Sequence, residues 1–138
     1  MLEALRDVNW LAVGIADVAL FALGAVWFML VVARAYKTAL GLKDAPAQNP
    51  SALFIVGPFL CQTVIIITTA VLMGALGITS YDAAIEFGLI AGIGYLAPMV
   101  VNIAINPNFP RPMLYSLINA PFFLLGSVIS STILVALG

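Results

Sequence analysis

The sequence predicts an all-α integral membrane protein with four transmembrane helices, and three observations carry that prediction. Four long apolar runs fill most of the 138 residues. Hydrophobic residues make up 64% of the chain and charged residues only 8%. Mean hydropathy is +1.18, and a water-soluble fold of such composition would have too little polar surface to cover its core. The chain reads as a single domain, residues 1–138, whose spans follow one another as two tandem helical hairpins.

About 20 apolar residues at 1.5 Å each cross the roughly 30 Å hydrocarbon layer. The first run, Trp10 to Val32, carries one charge, Asp17. The second, third and fourth runs, Leu53–Leu76, Phe87–Ile105 and Met113–Leu137, carry none. Turn formers or charges bound each: Asn49-Pro50, Gly77, Asp82 with Glu86, and the stretch Asn106-Pro107-Asn108-Phe109-Pro110-Arg111-Pro112. The first helix is expected to continue through Arg34, Tyr36 and Lys37 to a stop near Gly41. An Ala-x-Ala triplet at Ala33–Ala35 would suit signal-peptide cleavage, but Glu3 and Asp7 beside Arg6, and the length of the run, favour a retained span.

Basic residues predict the orientation. Arg34, Lys37 and Lys43 lie between the first two spans and Arg111 between the last two, with Arg6 alone on the other side. The expected arrangement has loops 33–52 and 106–112 in the cytoplasm and both termini outside. Trp10 and Tyr81 then fall at the outer interface, Tyr36 and Tyr115 at the inner one.

A net charge of −1 and the lack of a basic run argue against nucleic acid as a partner. Cys61 stands alone and the chain has no His, which leaves no His/Cys zinc site and no Ser-His or Cys-His nucleophile pair. No pattern specifies a cofactor: pigment, quinone or lipid between the helices is compatible with the composition and dictated by nothing in it. A weak repeat is visible, with Gly24-x-x-Trp27-Phe28 resembling Gly92-x-x-Tyr95-Leu96 and Pro50-x7-Pro58-Phe59 resembling Pro112-x8-Pro121-Phe122.

Lipid offers no hydrophobic force between helices, so small residues must mark where backbones approach. Ala12, Ala16 and Ala19 form one stripe, Gly88 and Gly92 a second, and Gly126, Ser127, Ser130 and Ser131 a third. Each is a candidate for packing within the bundle or against a homo-oligomeric or membrane-protein partner. Pro58, Pro98 and Pro121 lie inside spans and should free carbonyls for neighbours to satisfy.

Asp17 is the one ionisable residue well inside a span, where a carboxyl needs a partner, a proton or water. Counting about 1.5 Å per residue from a common inner boundary puts it about 24 Å up. That is the level of Thr68, Thr69 and Ser127–Ser130, its expected hydrogen-bond donors. The same count leaves Gln62 and Tyr95 near the midplane, and Asn102 with Asn119 in the inner third as an interhelical amide pair. Asp17 shares a face with Val13, Leu20, Gly24 and Phe28, so that face should meet a helix.

Asn9-Trp10, Gly24-x-x-Trp27-Phe28, Gly41 followed by Asn49-Pro50, Pro98-x3-Asn102 and Arg111-Pro112-x-Leu114-x3-Ile118-Asn119 together resemble the bacterial membrane proteins of domain-of-unknown-function family 1761. The resemblance spans nearly the whole chain. It implies four transmembrane helices in a bacterial inner membrane and supplies no activity, substrate or catalytic residue. Asp17 departs from the family pattern, as does Ala120-Pro121. Three functions remain: an accessory subunit of a larger membrane complex, a small oligomeric transporter or ion pathway, and a membrane enzyme. The last is weakest, because Asp82 and Glu86 lie on the opposite side from Arg111. The expectation is therefore of a protein that is not an enzyme.

Overall fold

Asn9 and Ser80 decide where two of the long helices begin, because a short oxygen-bearing side chain satisfies amides that a first turn leaves unpaired. In the computed structural model, which describes residues 2–45 and 51–138, Asn9 Oδ1 accepts from the amides of Leu11 and Ala12, both at 3.1 Å. Its Nδ2 donates to the Leu137 carbonyl at 2.6 Å, so one side chain starts the first helix and ties it to the end of the last. Ser80 Oγ accepts from the Ala83 amide at 3.3 Å. The third helix consequently starts at Tyr81, ahead of the apolar run, and takes Asp82 into its first turn, where the helix's positive end favours an acid.

The long elements are α1 (Trp10–Val31), α3 (Leu53–Leu76), α4 (Tyr81–Ala104) and α5 (Pro112–Leu137), each long and apolar enough to cross a membrane. The short α2 (Ala33–Ala39) follows α1, and a 3₁₀ turn at Leu2–Leu5 precedes it. The first helix does not run unbroken to Gly41: Trp27–Val31 winds as π-helix, the chain bends at Val32, and α2 resumes. Gly41 then ends it at φ +71°, a conformation that favours glycine. A second π segment, Gly92–Leu96, ends two residues before Pro98; its wider turn absorbs the hydrogen bond that proline cannot donate. The expected Asn49-Pro50 turn lies outside the described residues.

The helices pack around α5, which lies between α1 and α4 and touches both along its length. α3 packs on α1 and on the 3₁₀ turn, meets α5 less, and scarcely meets α4. The α1–α3 and α4–α5 hairpins are therefore not related by a two-fold axis along the bundle. A two-fold axis along the bundle would bring α3 against α4 as closely as α1 meets α5. The difference has a residue-level cause: α4 presents Gly88 and Gly92 to α5, while the α3 glycines, Gly57 and Gly74, sit near the helix ends.

Val8, Ala12, Val13, Ala16, Leu20, Ile66, Met73, Ala84 and Leu134 form the buried core, close to the end of the bundle that holds Asn9. Toward the other end, which carries Arg34, Lys37 and Arg111, the helices part. Replacing Asn9 with alanine removes the cap and the tie to Leu137. Chemical unfolding in detergent is expected to show a loss of about 1–2 kcal/mol.

Candidate functional site

Asp17 lies one helical turn beyond Val13 on α1 and is buried, with 5% of its surface exposed. Gln62, from α3, donates through Nε2 to Asp17 Oδ1 at 2.9 Å and to the Asp17 main-chain carbonyl at 3.0 Å. The Thr63 hydroxyl meets Asp17 Oδ2 and also lies 3.0 Å from the carbonyl of Phe59 in its own helix. The partners are therefore not the hydroxyls expected from depth. Thr68 donates to Val64 of its own helix at 2.8 Å, and Ser130 and Ser131 donate to the Ser127 carbonyl at 3.1 and 2.7 Å.

The reason is register. Pairing Asp17 with Gln62 sets the start of α3 opposite the middle of α1's lower half rather than opposite its end. A Cβ on Gly74 would lie 3.8 Å from Ala4, which requires the same offset at the far end. Depth counting assumed a common boundary, which α1 and α3 do not share.

Asn102 and Asn119 are not paired. Asn119, on α5, donates to the Tyr115 carbonyl one turn back at 2.8 Å, whereas Asn102 is exposed on the outer side of α4. The amide on α5 finds a local carbonyl, and the α4 amide points away from the bundle. Trp27 does make an interhelical link: its indole Nε1 donates to the Ile118 carbonyl at 3.1 Å. That carbonyl is next to the one Pro121 leaves without its amide, so the indole meets α5 where proline loosens the ladder. Gly24 faces Phe122, whose ring would lie 3.4 Å from an added Cβ, and Ala16 is fully buried. Gly88 and Gly92 meet the α5 backbone at Val128 and Leu124. Sequence reasoning placed Gln62 near the midplane, away from the carboxyl, and passed over Thr63 there; their being adjacent polar residues in an otherwise apolar stretch was the available signal.

Below this carboxyl cluster a cleft of about 540 Å³ opens between α1, α3 and α5. Its walls include Phe21, Gly24, Phe28, Pro58 and Phe123, with Gln62, Asn119 and Ser127 as polar members. No buried side-chain nitrogen or oxygen among the described residues lacks a partner. The atoms of Asn119 and Ser127 that make no bond inside the bundle are thus the ones open to the cleft. Aromatic rings line its Tyr36–Tyr115 end: Phe28 lies 5.0 Å from Phe122 and 5.0 Å from Tyr36, and Tyr36 lies 6.0 Å from Tyr115.

Burial pushes the Tyr36 phenol up to about 12, with the adjacent Tyr115 as the second cause. The folded chain favours the neutral phenol, while the unfolded chain ionises near 10. Tyr36's contribution to stability is therefore complete below pH 10 and lost as pH rises through about 12. A phenolate absorbance titration should show a step near pH 12, and Tyr36→Phe should remove it.

Four apolar spans, short connections and a carboxyl held inside the bundle define a multi-pass membrane protein. The family described as protein of unknown function (DUF1761) matches residues 11–135, and the chain belongs to it. Neither the curated proteins nor the solved structures give a match. Among the described residues no group of three or more His, Cys, Asp or Glu side chains comes together as a metal site.

Proposed function

We propose that the protein is an accessory subunit with a structural role, packing against a larger membrane partner through the outer face of α4. The supporting observation is a lipid-level face that carries polarity outward. Tyr95 is 76% exposed and stands about 14 Å in from the Ala104 end of its helix. That depth is greater than the interfacial belt where tyrosine ordinarily sits. Asn102 is exposed two turns further on, and an added Cβ on Gly94 would meet nothing within 4 Å. Polar side chains inside a membrane ordinarily turn toward protein, and a glycine beside them lets a second backbone approach.

Asp17 supports the same choice over an ion pathway. A relay needs a carboxyl in contact with water or with a second titratable group, and this one is enclosed by Gln62 and Thr63. The test is the intact mass, with subunit identification, of protein extracted at native abundance in mild detergent. A photo-crosslinking residue at position 95 is compared with one at Val64, on the exposed side of α3. A stoichiometric partner joined from 95 and not from 64 is expected. A lone chain, crosslinked from both positions to lipid only, would remove the proposal.

A further inference from the structure

The cleft between α1, α3 and α5 runs from Tyr36 and Tyr115 at one end to Ser130 at the other. Along α5 that is fifteen residues, or about 22 Å. A volume of 540 Å³, counted at the centre of a water-sized sphere and spread over about 22 Å, gives a width of about 8–9 Å once the sphere's own radius is added on each side. A helix is about 10–12 Å across and does not fit. A single extended hydrocarbon chain does, and the mostly apolar walls, with Leu20, Phe28, Ile65 and Phe123 among them, suit one.

Basic charge is concentrated at the Tyr36–Tyr115 end. Tyr36 lies between Arg34 and Lys37 on α2, and the Tyr115 amide donates to the Arg111 carbonyl at 3.0 Å, one turn away. Arg34, Lys37 and Arg111 are all exposed. Asp44, beside Lys43, is the acid on that side; Glu3, Asp7, Asp82 and Glu86 belong to the opposite end. One turn inward from Tyr115, Asn119 is 96% buried, its amide nitrogen bonded to its own helix and its oxygen open to the cleft.

We propose that the cleft holds one acyl chain of an anionic phospholipid, with the phosphate at the Tyr36–Tyr115 mouth among Arg34, Lys37 and Arg111. Phosphatidylglycerol serves as the anionic phospholipid in the test. This inference stands apart from the α4 face and its partner.

Trp27 reports on the site, since its ring lies 6.5 Å from Phe122 in the cleft wall. In the Trp10→Phe variant it is the remaining indole of the two in the chain. The protein is placed in phosphatidylcholine vesicles to which phosphatidylglycerol or phosphatidylcholine with brominated acyl chains is added. Quenching by the brominated phosphatidylglycerol should saturate at low mole fraction, about tenfold below brominated phosphatidylcholine. Ala25→Phe and Cys61→Phe, which fill the cleft from opposite walls, should each abolish the saturable component while helicity is retained. Lys37→Gln and Arg111→Gln should each weaken the preference about fivefold. Quenching that only follows mole fraction, equally for both lipids, would mean boundary lipid and overturn the proposal. So would saturation equal for the two head groups, or saturation untouched in both cleft-filling variants.

Discussion

Gly88→Leu is expected to detach α4 from α5 and to cost about 3 kcal/mol or more, the upper part of the range for overpacking. A Cβ at this position would lie 2.7 Å from Val128 Cα and 3.0 Å from the Ser127 carbonyl oxygen. Both are backbone atoms inside a helix and cannot rotate away as a side-chain tip can. Even Gly88→Ala should be destabilising, because the contact outweighs the roughly 1 kcal/mol that alanine gains in helix propensity. Gly92→Ala meets Leu124 Cδ1 at 2.5 Å and Leu124 Cα at 3.1 Å, so part of its strain is relieved by moving a methyl group and its cost should be smaller. Gly14→Ala is the control: nothing lies within 4 Å of its added Cβ, and stability should hold or rise by up to about 1 kcal/mol. Unfolding in detergent followed by circular dichroism ranks the four. A Gly88→Leu protein as stable as the Gly14→Ala control would mean that α4 and α5 are not in contact there.

The membrane spans were legible because a bilayer imposes a length and a polarity that few other environments demand. Asn9 and Ser80 show how much of the detail was legible too, since capping needs only a short polar side chain at a helix start. Gly88 and Gly92 announced a close approach by their spacing, but spacing carries no information about which helix arrives. Asp17 shows the physical limit most clearly. Its need for a partner follows from burying a carboxyl, yet its partner depends on how far α3 slides along α1. That offset, fixed by the Asp17–Gln62 pair and the approach of Gly74 to Ala4, is a property of packing and leaves little trace in composition. The Asn102 and Asn119 pairing failed for a related reason: equal depth does not fix the direction in which either side chain points.

Gln62→Leu is expected to destabilise the protein more than Asp17→Asn or Asp17→Leu, by about 1–3 kcal/mol, and the order follows from hydrogen-bond accounting. Removing the Gln62 amide leaves Asp17 Oδ1 buried without its donor at 2.9 Å. Removing the carboxyl strands nothing comparable. Gln62 Nε2 keeps the Asp17 main-chain carbonyl at 3.0 Å, and the Thr63 hydroxyl keeps the Phe59 carbonyl at 3.0 Å. Asp17→Asn should be milder still, within about 1 kcal/mol, because its side-chain oxygen accepts from Gln62 while its NH₂ donates to Thr63 Oγ1. Thr63, which has one hydroxyl hydrogen, is then free to give it to Phe59. Combining Asp17→Leu with Gln62→Leu should recover part of the Gln62→Leu loss, since no acceptor is left waiting for a donor. The four unfolding free energies in one detergent form a double-mutant cycle with Asp17→Asn as the isosteric check. If Asp17→Asn or Asp17→Leu proved costlier than Gln62→Leu, the carboxyl would be bonded to something outside this bundle. Asp17 would then no longer count against an ion pathway.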